Sequence, residues 1–135
     1  MGCGMGEENV RNVHILKTKT FERWQGKENL ADNILRHAVD EMRQGLIDAD
    51  LGGGLVKKRI ARSGQGKSSG YRTLLATNKN EKWFFIYGFA KNERDNINTQ
   101  ELRALKLFAK SLLELNLEQI QSAMLKGEFK EIING

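Results

Sequence analysis

The chain of 135 residues contains no proline and a single cysteine, Cys3. One thiol cannot build a disulfide framework or a cysteine metal site, and its isolation is typical of proteins from a reducing compartment. The longest apolar run, Trp83 to Ala90, is far too short to span a bilayer. No internal repeat and no linker interrupts the chain. These absences favour one soluble domain, expected in the cytoplasm and not at a membrane.

The N-terminal stretch MGCGMG has neither the apolar segment of a signal peptide nor the Ser or Thr expected at residue 6 of a myristoylation site. We therefore expect residues 1–11 to be a disordered lead-in. A single domain is expected over residues 12–135, in which residues 116–135 form a C-terminal helix and tail.

Positive charge is concentrated near the middle of the chain. The net charge is +5, and residues 56–72 carry six Lys or Arg without a single Asp or Glu. Outside that block the two signs nearly balance. A block of one sign predicts a site for a polyanion, because a merely solvated surface usually mixes signs. Nucleic acid is the favoured partner, with an acidic protein as the alternative.

Hydrophobic periodicity predicts an α+β domain with a small antiparallel sheet. An amphipathic helix from Leu30 ends at Gly45, and Asn98 and Asn116 each open a later helix with Glu or Gln three residues on. Residues 46–54 are expected to be a turn. Expected strands cover residues 12–18, 55–61, 71–77 and 82–89, a short helix covers 18–26, and the tail after Gly127 is a helix-like segment or an edge strand.

The stretch ARSGQGKSSGYR, residues 61–72, nearly spells a nucleotide-binding P-loop. Gly66-Lys67-Ser68 match the end of that motif, but Ala61 stands where the first glycine is required. A P-loop also needs a helix to start at its Lys-Ser pair, whereas the next segment, Tyr71–Thr77, has the pattern of a strand. The stretch is therefore predicted to be the glycine-rich tip of a β-hairpin.

Alternation along the first strand of this hairpin predicts a cationic surface. If Val56 and Ile60 face the core, Lys57 and Arg59 lie together on the other face. Lys58 is then expected to extend past the edge of the sheet into solvent. Arg72 begins the returning strand, and Lys91 and Arg94 follow the central strand.

Two segments, GGGLVKKRIARSGQGKSSGYRTLLAT and FFIYGFAKNERDNINTQELRALK, resemble the RelE/ParE superfamily of bacterial toxins, most of all its HigB-like branch. The resemblance covers about residues 12–115. It depends on the basic strand, the SGYR return and the YGFAKNE segment in that order. Such toxins fold as a small antiparallel sheet with two N-terminal helices packed on one face, and additional C-terminal helices would complete this chain.

The resemblance implies a toxin of a type II toxin–antitoxin system. Such toxins enter the ribosomal decoding site and cut mRNA without a metal or other cofactor. The RNA 2′-hydroxyl attacks the adjacent phosphate and leaves a 2′,3′-cyclic phosphate. The implied partners are the ribosome with its mRNA and a cognate antitoxin, often of the helix-turn-helix type, through which alone the toxin meets operator DNA.

The family's functional positions fall on residues of the basic hairpin and of the segment after the central strand. The implied catalytic residues are Lys57, Arg59 and Arg72, the last as the arginine that stabilises the pentacoordinate phosphate. The implied RNA-binding residues are Arg62, Lys67, Tyr71, Lys91 and Arg94. A guanidinium suits this chemistry because it contacts two phosphate oxygens at once, and Tyr71 could stack on an unpaired base.

The chain departs from the family where some relatives carry a second arginine and a tyrosine that assist proton transfer. Asn92 and Asn98 occupy those positions, and an amide cannot take up a proton usefully. Lysine among other cations loses its proton more readily than an isolated lysine, so Lys57 is the candidate base and Tyr87 a weaker one. His14 and His37 are expected to be structural.

Two alternatives stay open at this point. A ParE-like inhibitor of DNA gyrase would share the fold without catalysis, although it would not require a dense cationic cluster on the sheet. An RNA-binding module without nuclease activity would agree with Asn92 and Asn98.

Overall fold

The computed structural model describes residues 13–62 and 70–132. The expected lead-in over 1–11 and the Gly66-Lys67-Ser68 stretch lie outside these residues. The described helices and strands are β1 (His14–Thr18), α1 (Lys19–Lys27), α2 (Asp32–Arg43), β2 (Ala49–Gly52), β3 (Leu55–Ile60), β4 (Tyr71–Thr77), β5 (Lys82–Ala90), α3 (Thr99–Leu113), α4 (Leu117–Leu125) and β6 (Phe129–Glu131).

The strands form one sheet in the order β2-β3-β4-β5-β1-β6. All neighbouring strands run antiparallel except β1, which runs parallel to β5. The predicted α+β class is thus confirmed, and the sheet is mostly rather than wholly antiparallel. The parallel pair joins β1 to β5, two strands that are far apart in the sequence, whereas β3, β4 and β5 follow one another as antiparallel neighbours.

Helices cover both faces of the sheet. The apolar stripes of α1 and α2 pack on one face, where Phe21, Leu35 and Val39 are completely buried. The C-terminal helices α3 and α4 pack on the other face around Phe84 and Ile120. With both faces covered, every residue of β4 is buried, as expected for a central strand.

The helix starts predicted from the sequence are confirmed. Asn98 and Asn116 each accept a hydrogen bond from the backbone N–H three residues on, and Glu101 and Gln119 reach back to close a capping box. Asn98 thereby fixes where α3 begins against the sheet.

Strands β3 and β4 form the predicted hairpin, with Leu55 opposite Ala76 and Ile60 opposite Tyr71. The basic segment therefore joins neighbouring strands, and a strand rather than a helix follows it. Gly70 lies at the loop end of this pair, where a Cβ would lie 2.1 Å from the Ile60 carbonyl oxygen. A side chain at residue 70 would push the two strands apart.

The prediction of a turn over residues 46–54 is wrong in part, because β2 pairs with β3 along the edge of the sheet. The turn follows β2 directly and begins at the last residue of that strand, Gly52. It continues through Gly53 and Gly54, and all three glycines have positive φ. Glycine is suited to such consecutive left-handed positions because it has no Cβ. The strand β2 brings Asp48, which precedes it, alongside Arg59.

Candidate functional site

Three cations share the sheet face on which α3 packs. Side chains alternate along β3, so Val56 faces α1 and α2, while Lys57 and Arg59 face the opposite way. Arg72 pairs with Arg59 across the β3–β4 ladder and therefore lies on the same face. These three residues, together with Arg94 from the segment after β5, form a surface that we call the cationic face.

Arg72 is the most buried member of the cationic face, with 7% of its surface exposed. Its direct neighbours across the sheet are Arg59 on β3 and Phe89 on β5. Burial and the nearby Arg59 cation lower the pKa of Arg72, and the charge of Asp48 offsets part of that shift. An arginine stays protonated even so, which leaves a desolvated positive charge on this surface.

Asp48 sets the direction of the Arg59 side chain. The backbone N–H of Arg59 donates to Oδ2 of Asp48 over 2.7 Å, and Nε donates to Oδ1 over 3.2 Å. Burial alone would raise the pKa of Asp48, but these hydrogen bonds outweigh it and the pKa is lowered. Asp48 thus stays ionised and holds Arg59, whose side chain is 45% exposed, beside Arg72.

Arg94 reaches the same face from the segment after β5. Its Nη1 and Nη2 donate to the two carboxylate oxygens of Glu101 over 2.9 and 2.5 Å, and Nη1 also lies 3.0 Å from the Tyr87 hydroxyl. The guanidinium carbon is 5.5 Å from the centre of the Phe89 ring. The hydrogen bonds from Arg94 are the main reason that the pKa of Glu101 is lowered to about 2. This two-point contact fixes the guanidinium over the sheet.

Lys91 lies where β5 ends, close to the loop end of the β3–β4 hairpin. Its backbone N–H donates to the Gly70 carbonyl, and its ammonium lies 2.6 Å from Asp95. Asp95 is largely exposed, so this pair is held weakly and can exchange for another anion.

Tyr71 and Arg62, both expected to bind RNA, are not brought to the cationic face. Tyr71 is 5% exposed and packs edge-on against Trp24 on the opposite side of the sheet. Arg62 donates to the Tyr71 hydroxyl over 3.2 Å and to Glu28 over 3.3 Å. Tyr71 therefore has no exposed ring that could stack on a base, because side-chain alternation along β4 turns Tyr71 away from Arg72. Lys67 lies outside the described residues.

The expectation that Lys58 is solvated is wrong. Lys58 is 2% exposed, and its ammonium donates to the Leu46 carbonyl over 2.8 Å and contacts Glu41 at 2.9 Å. It lies on the face covered by α2, where the end of that helix and the following loop supply both partners. Lys58 therefore joins the sheet to α2 and takes no part in the cationic face.

Asn98 and the two histidines, which were not expected to transfer protons, make structural contacts. Asn98 uses its side chain to cap α3. His14 lies on β1, 3.8 Å from Glu131, and His37 lies on α2, 3.6 Å from Glu41. Tyr87, the weaker candidate base, is different, since its hydroxyl lies within the Arg94–Glu101 contact.

The part of the chain that the structure describes contains no group of three or more His, Cys, Asp or Glu placed to hold a metal ion. Among the same residues no helix is long and apolar enough to cross a membrane.

Comparison with known proteins agrees with this architecture. The family model described as RelE toxin of the RelE / RelB toxin-antitoxin system matches residues 13–132. No curated protein matches the chain. The family match spans nearly the whole chain, including the basic hairpin, the return at Arg72 and the segment with Arg94. The chain therefore belongs to the RelE family, whose members are toxins of toxin–antitoxin systems.

Proposed function

We propose that this toxin is an endoribonuclease that cuts mRNA on the ribosome and so inhibits translation. Its site of action would be the cytoplasm, and its partner a cognate antitoxin, of the helix-turn-helix type in the HigB-like branch. The toxin would contact operator DNA only through that antitoxin. The reaction needs no metal in this proposal, because guanidinium groups supply the positive charge at the scissile phosphate.

The observation that carries the proposal is the placement of Arg72. A nearly buried guanidinium lies directly opposite a second arginine, and like charges in that position repel each other; the charge of Asp48 offsets part of this repulsion. A phosphate that gains negative charge in its transition state would relieve that repulsion. A gyrase inhibitor that acts by binding alone would have less use for such a desolvated cation.

The proposal gives each of the three basic residues on β3 and β4 a role that suits its position. Arg72 would contact two non-bridging oxygens of the scissile phosphate, and Arg59, directed by Asp48, would contact the same group from β3. Lys57, two residues before Arg59 on the same strand and face, would take the proton of the 2′-hydroxyl. The 2′-oxygen would then attack phosphorus and close the 2′,3′-cyclic phosphate.

Flanking nucleotides would follow the outer cations. Lys91 and Arg94 lie after the end of β5, on the side of the loop that joins β3 and β4, and both contact carboxylates. An RNA strand that crosses the sheet would exchange Asp95 for a phosphate at Lys91, while Arg94 would contribute its charge from its place on Glu101. Arg62 would contribute only from the rim, because it is held against Tyr71 and Glu28.

The test is a translating extract to which the purified toxin is added. We expect mRNA cuts at a fixed position within codons, each with a 2′,3′-cyclic phosphate end, and no cuts from Arg72→Ala. Lys126→Ala, which removes one exposed charge from the end of α4, should cut like the wild type. Intact mRNA together with inhibited gyrase supercoiling would replace this proposal with the ParE-like one.

A further inference from the structure

Tyr87 lies on the cationic face because of an irregularity in β5. The register between β4 and β5 shifts after Leu74, so Leu75 pairs with Phe85 but Leu74 pairs with Tyr87. Ile86 is the additional residue of a β-bulge. In a regular strand Tyr87 would share the side of Phe85, which packs under α1 and α2; the bulge turns it to the side of α3.

The bulge places Tyr87 in line with Lys57 across the sheet. Lys57 pairs with Leu74, and Leu74 pairs with Tyr87, so these residues form a row over three adjacent strands. At the usual spacing between strands, the backbones at Lys57 and Tyr87 are about 10 Å apart. The adjacent row consists of Arg59, Arg72 and Phe89. A phosphate held by Arg72 would therefore have Lys57 on one side and Tyr87 on the other.

The contacts of the Tyr87 hydroxyl suit a proton donor. Nη1 of Arg94 donates to the phenol oxygen over 3.0 Å, and the hydroxyl donates its own proton to Oε2 of Glu101 over a long 3.4 Å, a weak bond that a leaving oxygen could replace. A cation that already donates to this oxygen would stabilise the phenolate left after the proton has gone. Glu101 holds Arg94 in place through both its oxygens and is itself fixed by the capping box of α3.

We propose that Tyr87 is the general acid of the cleavage step, positioned by Arg94 and Glu101, an inference that rests on the nuclease function proposed above. Lys57 takes the 2′-hydroxyl proton, the 2′-oxygen forms its bond to phosphorus, and the bond from phosphorus to the 5′-oxygen breaks. Tyr87 gives its proton to that 5′-oxygen, and the phenolate, stabilised by Arg94, regains a proton from water. The products are a 2′,3′-cyclic phosphate and a 5′-hydroxyl.

In this proposal the general acid lies on the central strand β5. It does not come from the segment after that strand, where Asn92 and Asn98 lie. A purely structural tyrosine is the alternative, since the ring of Tyr87 also packs 6.1 Å from that of Phe89. Tyr87→Phe separates the two possibilities because it keeps the ring and removes only the hydroxyl.

The experiment compares two messages on programmed ribosomes in single-turnover cleavage. One has the natural 5′-oxygen at the cut position, and the other has sulfur there, a leaving group that needs no proton from an acid. Wild-type toxin should cut both. Tyr87→Phe should cut the oxygen message about 100-fold to 1000-fold more slowly, and the sulfur message at nearly the wild-type rate. The second result would also show that the variant is folded and binds normally.

The other outcomes each decide a different point. Equal slowing on both messages would overturn the assignment and make Tyr87 a positioning residue. A wild-type rate on the oxygen message would show that the hydroxyl has no role in cleavage. A wild-type toxin that leaves both messages intact would overturn the nuclease proposal itself.

Discussion

Arg59 and Arg72 lie directly opposite each other on β3 and β4, with both side chains on the same face of the sheet. The repulsion between them lowers the pKa of Arg72 in addition to the effect of burial. Such a pair weakens the hairpin that carries it, because like charges opposite each other on neighbouring strands are unfavourable. Asp48, which pairs with Arg59, offsets part of this repulsion, so the two arginines stay side by side on one face.

Replacing Arg72 with methionine should separate stability from activity. Methionine keeps the length of the side chain and removes the guanidinium with its contacts. We expect the free energy of unfolding of Arg72→Met to fall by no more than about 3 kcal/mol, as measured by urea denaturation, so that the variant is still folded at neutral pH. Cleavage in the translating extract should be lost. A variant that unfolds much more easily would show that Arg72 has chiefly a structural role.

The neighbours Lys57 and Lys58 should respond in opposite ways to alanine. Lys58 is buried against Glu41 and the Leu46 carbonyl, so its removal leaves both groups poorly satisfied. We expect Lys58→Ala to lower the free energy of unfolding by about 2–4 kcal/mol while the folded fraction still cuts mRNA normally. Lys57→Ala should change stability by less than about 0.5 kcal/mol and should abolish cleavage. The reverse pattern would mean that the two faces of β3 have been exchanged.

The difference between Lys57 and Lys58 also shows where sequence analysis succeeded. Two-residue alternation was sufficient to place Lys57 and Arg59 on one face, and the returning strand then brought Arg72 beside them. Alternation said nothing of what covers the other face. The carboxylate of Glu41 belongs to the last turn of α2, and the Leu46 carbonyl belongs to the loop after it. Both are distant from β3 in the sequence, so the buried position of Lys58 could not be predicted.

The position of Tyr87 on the cationic face could not be predicted for a related reason. The run from Trp83 to Ala90 is apolar on both sides, so periodicity cannot reveal a β-bulge within it. The register shift after Leu74 is a property of the β4–β5 pair and not of β5 alone. By contrast, the capping boxes at Asn98 and Asn116 depend on residues three apart, and the sequence predicts them directly.

Gly88 is required by the close packing of α1 on β5. A Cβ at this position would lie 2.5 Å from the Trp24 ring, which is itself packed against Phe21 and Tyr71. We expect Gly88→Ala to lower the free energy of unfolding by about 1–3 kcal/mol. Gly26 in α1 has open space around its Cα, so Gly26→Ala should leave stability unchanged or raise it by up to about 1 kcal/mol. Thermal unfolding of both variants tests this, and equal melting temperatures would contradict it.

The Glu101 carboxylate should make stability depend on acid pH. Its pKa falls from 4.5 to about 2 on folding, chiefly through the hydrogen bonds from Arg94. A lowered pKa stabilises the fold above 4.5, and this contribution is lost as the pH falls from 4.5 towards about 2. Glu101→Gln keeps an oxygen for the capping box but cannot ionise. The wild type should therefore be the more stable protein at neutral pH, and urea denaturation should show the difference shrinking through that acid range. A difference that stays constant with pH would contradict the assignment.

Salt dependence of RNA binding would report how many cations reach phosphate. The cations proposed to lie along the strand are Arg59, Arg72, Lys91 and Arg94, and Lys57 adds a fifth when its amine is protonated. Roughly five phosphate contacts on single-stranded RNA imply a slope of about −3 to −4 for the logarithm of the binding constant against that of salt concentration. The measurement uses an RNA whose 2′-hydroxyl at the cut position is replaced by hydrogen, so that it binds without being cleaved.

The slope also shows whether carboxylates release their arginines and lysine on binding. Arg59, Lys91 and Arg94 contact Asp48, Asp95 and Glu101 in the free protein. If all three ion pairs persist, only two of the five contacts remain, and the slope should be between about −1 and −2. If they exchange for phosphate, Arg94→Gln should reduce a steep slope by about 0.7, whereas Lys126→Gln on α4 should leave it unchanged. A slope near zero would exclude the cationic face from the interface, because displaced counterions are the source of the effect.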